Sequence, residues 1–132
     1  MSVCKDNDFE QYLNLLDKVY PKSDVRKRML KKYSKYIGKC FYEHFGNKVI
    51  GGVFVINFGE NIYGICGMVV DPKLKNMGFG SRLLEQVHKA FKGTFLLRTS
   101  GAVKFYEKND YVIVKKFPKT TVMAYSNKKF GW

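Results

Sequence analysis

The sequence predicts a mixed α/β fold with the element order β(short)ααβββαβαββ, in which helices cover both faces of one mostly antiparallel sheet. Two observations support it. Apolar residues first recur at helical spacing, and the period then changes to β-rich runs joined by short turns, after which helix-like and strand-like stretches alternate. With 132 residues, of which 45% are hydrophobic, residues 1–132 are predicted to form a single domain with one core.

Two helices open the pattern. The first is predicted from Asn7 to Tyr20 and stops at Pro21, which cannot continue a helix. The second starts at Ser23 or Asp24 and ends at Gly38, with one apolar stripe formed by Val25, Met29, Tyr33 and Ile37. Basic residues crowd the rest of its surface: Arg26, Lys27, Arg28, Lys31, Lys32 and Lys35.

Three β-rich runs follow and are predicted to form an antiparallel meander. They cover residues 40–45, 48–58 and 62–70, and glycine and asparagine supply the short turns between them. The remaining predicted elements are a helix with apolar residues from Leu83 to Phe91, a buried strand (94–99), a short helix (102–108) and two final strands (111–117 and 121–125).

Composition narrows the class of protein. No uncharged stretch approaches the roughly 20 apolar residues of a membrane helix, and residues 1–10 lack the apolar core of a secretory signal, so we expect no membrane partner and a cytoplasmic location. The three cysteines form no CxxC pair, which favours reduced, packed thiols over a disulfide or a metal site.

The charge distribution leaves two interpretations open. Of the net charge of +13, +9 falls in residues 68–132, where 13 Lys and Arg face 4 Asp and Glu. Such an excess favours a polyanionic partner, which includes nucleic acid, a phosphorylated cofactor and an acidic surface. A solvated, lysine-rich surface explains the same numbers without any function.

A glycine-rich bend before the third helix is the sharpest local feature. Gly78 and Gly80 let an anion approach the backbone, and Asn76 tolerates a positive φ. A helix that begins at such a bend presents unpaired N–H groups and the positive end of its dipole. Lys73 and Lys75 add cationic side chains, so the segment has the parts of a diphosphate site.

Two motifs together resemble the GNAT superfamily of acetyl-CoA-dependent N-acetyltransferases. The first family motif, Val-x-Pro-x-x-(Arg/Gln)-Gly-x-Gly-x-(Gly/Ala), is matched from Val70-Asp71-Pro72 to Gly80, with Lys75 for the Arg or Gln and Asn76 for a glycine. The second, Ala-x-x-Phe-Tyr-x-Lys-x-Gly-Phe, is matched by Ala102, Phe105, Tyr106, Lys108 and Tyr111, with Asp110 for its glycine.

The resemblance implies acetyl transfer from acetyl-CoA, without a metal, to a primary amine on a small molecule, peptide or protein. Tyr106 matches the family tyrosine that protonates the departing thiolate, a role open to a phenol. The pantetheine arm would pair with the backbone of Met68 to Val70, and the diphosphate would bind the amides of Lys75 to Ser81. The implied cofactor-binding residues are Met68, Val69, Val70, Lys75, Asn76, Met77, Gly78, Phe79, Gly80 and Ser81.

The base that deprotonates the acceptor amine is not identified by the sequence. Gly64 stands where some family members keep a glutamate. The residues that could relay the proton through water are Glu43, His44, Glu60 and Tyr63.

Residues outside the motifs receive secondary interpretations. In similar proteins the first two helices border the acceptor site, so Arg26, Lys27, Lys31 and Lys35 could recognise an anionic acceptor or a nucleoprotein surface, but a solvated amphipathic helix explains the same residues without any function and is the preferred interpretation. His88 is expected to be solvated, on the helix face opposite Leu84. Cys66 is expected to pack in the core, and Thr99 stands where many family members have an asparagine.

Two alternative functions remain beside acetyl transfer. A non-catalytic protein that binds or senses acyl-CoA would keep the diphosphate site and need no base. A basic nucleic-acid-binding module would use the charge and the aromatic residues, but no nucleic-acid motif is present, which ranks it last. We expect a monomer or a homodimer.

Overall fold

The computed structural model describes residues 7–21 and 24–127, and its elements follow the predicted order. They are α1 (Asn7–Val19), α2 (Val25–Lys35), β1 (Gly38–Phe45), β2 (Lys48–Gly59), β3 (Ile62–Val70), a 3₁₀ turn (Pro72–Leu74), α3 (Phe79–Ala90), β4 (Thr94–Thr99), α4 (Val103–Lys108), β5 (Val112–Lys116) and β6 (Thr121–Ser126). The short strand predicted ahead of α1 falls on residues outside these ranges.

The six strands form one sheet in the order β1-β2-β3-β4-β6-β5. The predicted meander is confirmed, because β1 pairs with β2 and β2 with β3 in antiparallel register. The β3–β4 pair is parallel, whereas β4–β6 and β5–β6 are antiparallel. The prediction of a mixed, mostly antiparallel sheet is therefore confirmed.

Strand β2 shows why helices are needed on both faces. Its side chains alternate, so that Val53 and Val55 join one buried cluster while Phe54 and Ile56 join another. The first cluster is covered by α3 and α4, and the second by α1 and α2. A strand buried on both faces reads as a continuous apolar run, which is what residues 48–58 show in sequence.

The second helix is shorter than predicted. It ends at Lys35, and Ile37, expected on its apolar stripe, lies outside it with 81% of its surface exposed. The Ile37 carbonyl accepts a hydrogen bond from the Asn57 amide at 2.7 Å, which draws the chain into the sheet before Gly38. A Cβ at Gly38 would come within 2.6 Å of the Phe54 ring, so this glycine begins a strand and does not end a helix.

The structure describes two of the three cysteines, Cys40 and Cys66. Cys40 is buried in the core, as expected. Cys66 is partly buried: it packs against the second cluster, as predicted, and also lines a cleft, while Cys4 lies outside the described residues. None of the helices in the described ranges combines the length and apolar character required to cross a membrane.

The expectation that His88 is solvated was also wrong. His88 follows Leu84 by one helical turn and therefore shares its buried face, where its ring stacks on Tyr125 at 4.0 Å. Its Nε2 atom lies 2.9 Å from the Tyr111 hydroxyl. Burial lowers the pKa of His88 to about 4, despite the opposing influence of Asp110.

This environment makes stability depend on pH. In the unfolded chain His88 is protonated below its ordinary pKa of about 6.5, whereas in the folded protein it stays neutral down to about pH 4. The free energy of unfolding therefore decreases as the pH falls from about 6.5 to about 4. We expect His88→Gln to show a smaller loss of unfolding free energy between pH 7 and pH 5 than the wild type, measured by urea denaturation. An equal loss in His88→Gln would contradict the assignment.

Candidate active site

The sheet opens between its two parallel strands. Strands β3 and β4 pair only where residues 62–64 meet residues 94–96, and beyond that point they diverge. Strand β3 stays paired with β2, and β4 stays paired with β6. The far half of β3 therefore presents backbone groups to a cleft of about 800 Å³ and not to a neighbouring strand.

A β-bulge bends β3 at the start of this cleft. Gly52 pairs with Val69 and Phe54 with Cys66, so one residue of β2 faces two of β3. One of those two, Gly67, has a φ of +60°, which favours glycine. Strand β3 can then follow β2 while turning away from β4.

Helix α1 fastens the bulge from outside the sheet. The hydroxyl of Tyr12, a fully buried side chain, donates a hydrogen bond to the Gly67 carbonyl at 2.7 Å. A Cβ on Gly67 would overlap that hydroxyl and lie 3.0 Å from the Met29 methyl group of α2. The sequence analysis missed Gly67, although an isolated glycine inside an apolar strand is a known signal of a bulge.

The predicted anion site lies at the start of α3. Asn76 and Gly78 both have positive φ, of 67° and 85°, and Gly78 is the N-cap residue of the helix. No side chain caps the helix there, so the amides of its first turn remain directed toward the bend. Of the loop side chains, Met77 is 64% exposed, Lys75 and Asn76 are exposed, and Phe79 and Ser81 are partly buried.

The two glycines of this bend are required for different reasons. A Cβ at Gly78 would meet open space, so its need comes from the left-handed backbone. A Cβ at Gly80 would lie 2.9 Å from the Phe105 ring of α4. Gly80 thus lets α3 approach α4, and the cleft and the start of α3 meet at Phe105, which lines the cleft.

Among the predicted cofactor residues of β3, only the Met68 side chain lines the cleft. Val69 is 3% exposed and packs toward α1 and α2, and Val70 packs on the opposite face near Gly51. The contribution of these two residues to a ligand in the cleft is therefore limited to their backbone.

Tyr106 projects from α4 into the cleft. It is 6% exposed and makes edge contacts with the rings of Phe105 and Tyr111. Burial raises its pKa, with smaller contributions from Tyr20 and Cys66 across the cleft, so the phenol keeps its proton at neutral pH. Thr99 sets the position of α4, because its hydroxyl accepts a hydrogen bond from the Ala102 amide at 3.1 Å.

The four candidate bases lie away from the cleft. Glu43 on β1 is 7% exposed and binds Arg82 at 3.2 Å and Gln86 of α3, so it ties the sheet to that helix. The His44 Nε2 atom lies 3.2 Å from an Asp8 carboxylate oxygen. Two strands separate β1 from the opening, which explains why neither residue reaches it.

The other two candidates are also elsewhere. Glu60 is exposed in the turn between β2 and β3 with a φ of +55°. The Tyr63 ring stacks on the rings of Phe91 and Phe95, with centroid distances of 4.7 Å and 5.1 Å, on the face of the sheet covered by α3. Gly64 does line the cleft, and a Cβ there would meet the Phe58 ring at 2.8 Å.

Five titratable residues that were not predicted to lie at the site line the cleft instead: Tyr20, Arg28, Lys32, Cys66 and Arg98. Burial raises the pKa of the Cys66 thiol, although Lys32 Nζ lies 3.9 Å from its sulfur. Arg28 and Lys32 are one helical turn apart and adjoin buried Met29, a spacing that could have singled them out in sequence. Across residues 7–21 and 24–127, no group of His, Cys, Asp and Glu could hold a metal ion.

The family model described as an acetyltransferase (GNAT) domain matches residues 37–113, more than half of the chain. No curated protein sequence matches the chain. The family match covers β1 to α4 and the first two residues of β5, and with them the opened sheet, the glycine bend and Tyr106, and it confirms the resemblance predicted from the two motifs.

Solved structures with the same fold include three acetyltransferases. The ribosomal-protein-S18-alanine N-acetyltransferase from Escherichia coli has a TM-score of 0.81 at 15% identity, over 99% of this chain and 94% of that chain. The aminoglycoside 6'-N-acetyltransferase from Enterococcus faecium has a TM-score of 0.75 at 18% sequence identity, over 92% of each chain. A GNAT family acetyltransferase from Elizabethkingia anophelis with acetyl-CoA bound has a TM-score of 0.66 at 18% sequence identity, over 86% of this chain and 88% of that chain. These likenesses concern the fold.

The bulge predicts a difference between two glycine variants. Gly67→Ala and Gly46→Ala both place a side chain at positive φ, which costs about 1–2 kcal/mol each, but only residue 67 has neighbours that a Cβ would strike. We therefore expect Gly67→Ala to lose more unfolding free energy in urea and to weaken the binding of coenzyme A measured by calorimetry. Gly46→Ala should bind coenzyme A normally. Equal behaviour of the two variants would show that the close approach of Tyr12 is unimportant.

Proposed function

This chain belongs to the GNAT family of acetyltransferases, and on that basis we propose that it is an N-acetyltransferase that moves the acetyl group of acetyl-CoA directly to a primary amine. The observation that carries the proposal is the cleft between β3 and β4, with Tyr106 on its wall and the uncapped start of α3 beside it. We further propose that residues 1–132 act as one domain.

The fit of acetyl-CoA rests on backbone groups. The unpaired side of β3 at Met68 to Val70 suits a pantetheine arm, whose amides can pair like an added strand. The amides of the first turn of α3, which begins after Gly78 and has no side-chain cap, suit the diphosphate, since a helix start combines N–H donors with a positive dipole. The Lys75 amide instead donates a hydrogen bond to the Pro72 carbonyl at 3.4 Å. A cleft of about 800 Å³ is large enough for the arm together with a small acceptor.

The proposed reaction is a direct displacement. The neutral amine attacks the acetyl carbonyl, the carbon–sulfur bond breaks, and the excess proton on nitrogen passes to water. Tyr106 donates its proton toward the departing sulfur and regains one from the water that received the proton of the amine, so coenzyme A leaves as its thiol. Fixing both reactants in the cleft can lower a bimolecular barrier by about 7–11 kcal/mol.

A second candidate function is a non-catalytic protein that binds acyl-CoA. It is favoured by one observation: among the described residues that line the cleft, none is a carboxylate or a histidine. Thiol release from acetyl-CoA in the presence of a panel of amines distinguishes the two functions. Turnover with any of the amines would reject the non-catalytic alternative, and binding without turnover would reject the enzyme.

The proposed acid is tested by Tyr106→Phe, which removes the donor and keeps the ring. We expect kcat to fall by about 10²-fold or more, while the Kd for acetyl-CoA measured by calorimetry stays within about twofold. Tyr63→Phe is the matched control, because Tyr63 is equally buried, at 6% exposed, but lies outside the cleft. An unchanged kcat in Tyr106→Phe would remove this residue from the chemistry.

A further inference from the structure

The wall of the cleft carries charge of one sign. Its charged side chains in the described ranges are Arg28, Lys32 and Arg98, and no Asp or Glu contributes to it. Arg98 is engaged elsewhere, with its guanidinium 4.9 Å above the Phe117 ring and a hydrogen bond of 3.4 Å to Thr120. Arg28 and Lys32 therefore determine the charge at the α2 side of the opening.

These two cations differ from their neighbour on the same helix. Arg26 is bound to Asp17 at 2.7 Å and to Glu10 at 3.3 Å, which ties α2 to α1. Within residues 7–21 and 24–127, no carboxylate lies within ion-pair distance of Arg28 or Lys32. Lys32 Nζ instead lies 3.9 Å from the sulfur of Cys66, directly before the bulge.

The position of the pair assigns it to the acceptor. Helices α1 and α2 cover one face of the sheet, and α3 and α4 cover the other, so the cleft has a wall from each side. The proposed diphosphate site belongs to α3, on the face opposite α2. Arg28 and Lys32 are thus available to a ligand that approaches from the other face and meets the acetyl group near Tyr106.

We propose that the acceptor is a small amine that also carries an acidic group, a carboxylate or a phosphate, which Arg28 and Lys32 bind. This inference rests on the proposed acetyl transfer. A guanidinium and an ammonium one turn apart suit such an oxyanion, since the first offers planar paired donors and the second a compact charge. The same charges disfavour polycationic acceptors such as aminoglycosides.

The pair also bears on how the amine loses its proton. An alkylammonium has a pKa of about 10.4 in water, and nearby positive charge lowers that value. Two cations opposite a carboxylate, or opposite a singly ionised phosphate, leave a net positive charge at this side of the cleft, which favours the neutral, nucleophilic amine. Activation of this kind needs no carboxylate or histidine in the cleft, and none of the described residues there supplies one.

The test compares amines of similar size and different charge in a thiol-release assay. Beside the amine that accepts the acetyl group, the anionic probes O-phosphoethanolamine and β-alanine carry an acidic group, the neutral probe ethanolamine carries a hydroxyl, and the cationic probe ethylenediamine carries a second amine. We expect kcat/KM for at least one anionic amine to exceed that for ethylenediamine by about tenfold or more, and to fall as salt is added. The two anionic probes separate a phosphate from a carboxylate preference. A preference for the neutral or cationic amine would overturn the inference and leave the acetyltransferase function intact.

Variants of α2 test the residues themselves. Arg28→Gln and Lys32→Gln should each raise KM for the preferred anionic amine about fivefold, as expected for an exposed ion pair, with little change for ethanolamine or in the Kd for acetyl-CoA. Lys31→Gln is the matched control, because Lys31 is an exposed lysine of α2 that does not line the cleft. Unchanged KM values in both cleft variants would overturn the inference.

A binding measurement covers the case in which no amine is turned over. Calorimetry with the protein saturated by coenzyme A should detect O-phosphoethanolamine or β-alanine and not ethylenediamine, and Arg28→Gln should weaken that binding. Binding without turnover would reject the proposed enzyme and keep the anion site. Absence of binding by both anionic amines would reject the anion site.

Discussion

The molecule depends on a sheet that separates in its middle. Strand β3 keeps β2 as its neighbour and β4 keeps β6, while the two pair with each other only over residues 62–64 and 94–96. Leaving backbone groups unpaired inside a sheet is unfavourable unless something else satisfies them. An opened pair of strands is therefore suited to bind a ligand that has amide groups of its own.

Each side of the opening is held by a different helix. The Gly67 bulge fits against Tyr12 of α1 and Met29 of α2, and Gly80 lets α3 approach Phe105 of α4. Helix α2 in turn is held to α1 by Arg26. A side chain added at Gly67 or at Gly80 would therefore displace a wall of the cleft.

The elements could be predicted because their signals are local. The apolar run of residues 48–58, the glycine bend and the two motifs each occupy a short segment, and the structure has these elements where they were expected. The positive φ of Asn76 and Asp110 likewise follows from residue type and motif position. A GNAT-like fold was thus within reach of the sequence.

Partners across the fold were beyond such signals. Nothing near Glu43 in sequence shows that it faces Arg82, about forty positions later, and nothing near Arg26 shows that it pairs with α1 while Arg28 does not. The bulge was the exception, since a glycine within an apolar strand could have indicated it. Which basic side chain of α2 reaches the cleft depends on how α2 rotates against α1, a tertiary property.

Three carboxylates are bound to groups that lie behind the walls of the cleft. Asp71 accepts a hydrogen bond from the Lys73 amide at 3.0 Å and shapes the turn before the anion site. Glu43 joins β1 to α3, and Asp17 joins α1 to α2. Because these acids stabilise the walls from behind, the titratable side chains that line the opening among the described residues are cations, phenols and the Cys66 thiol, so the charge of the cleft results from how the scaffold is held together.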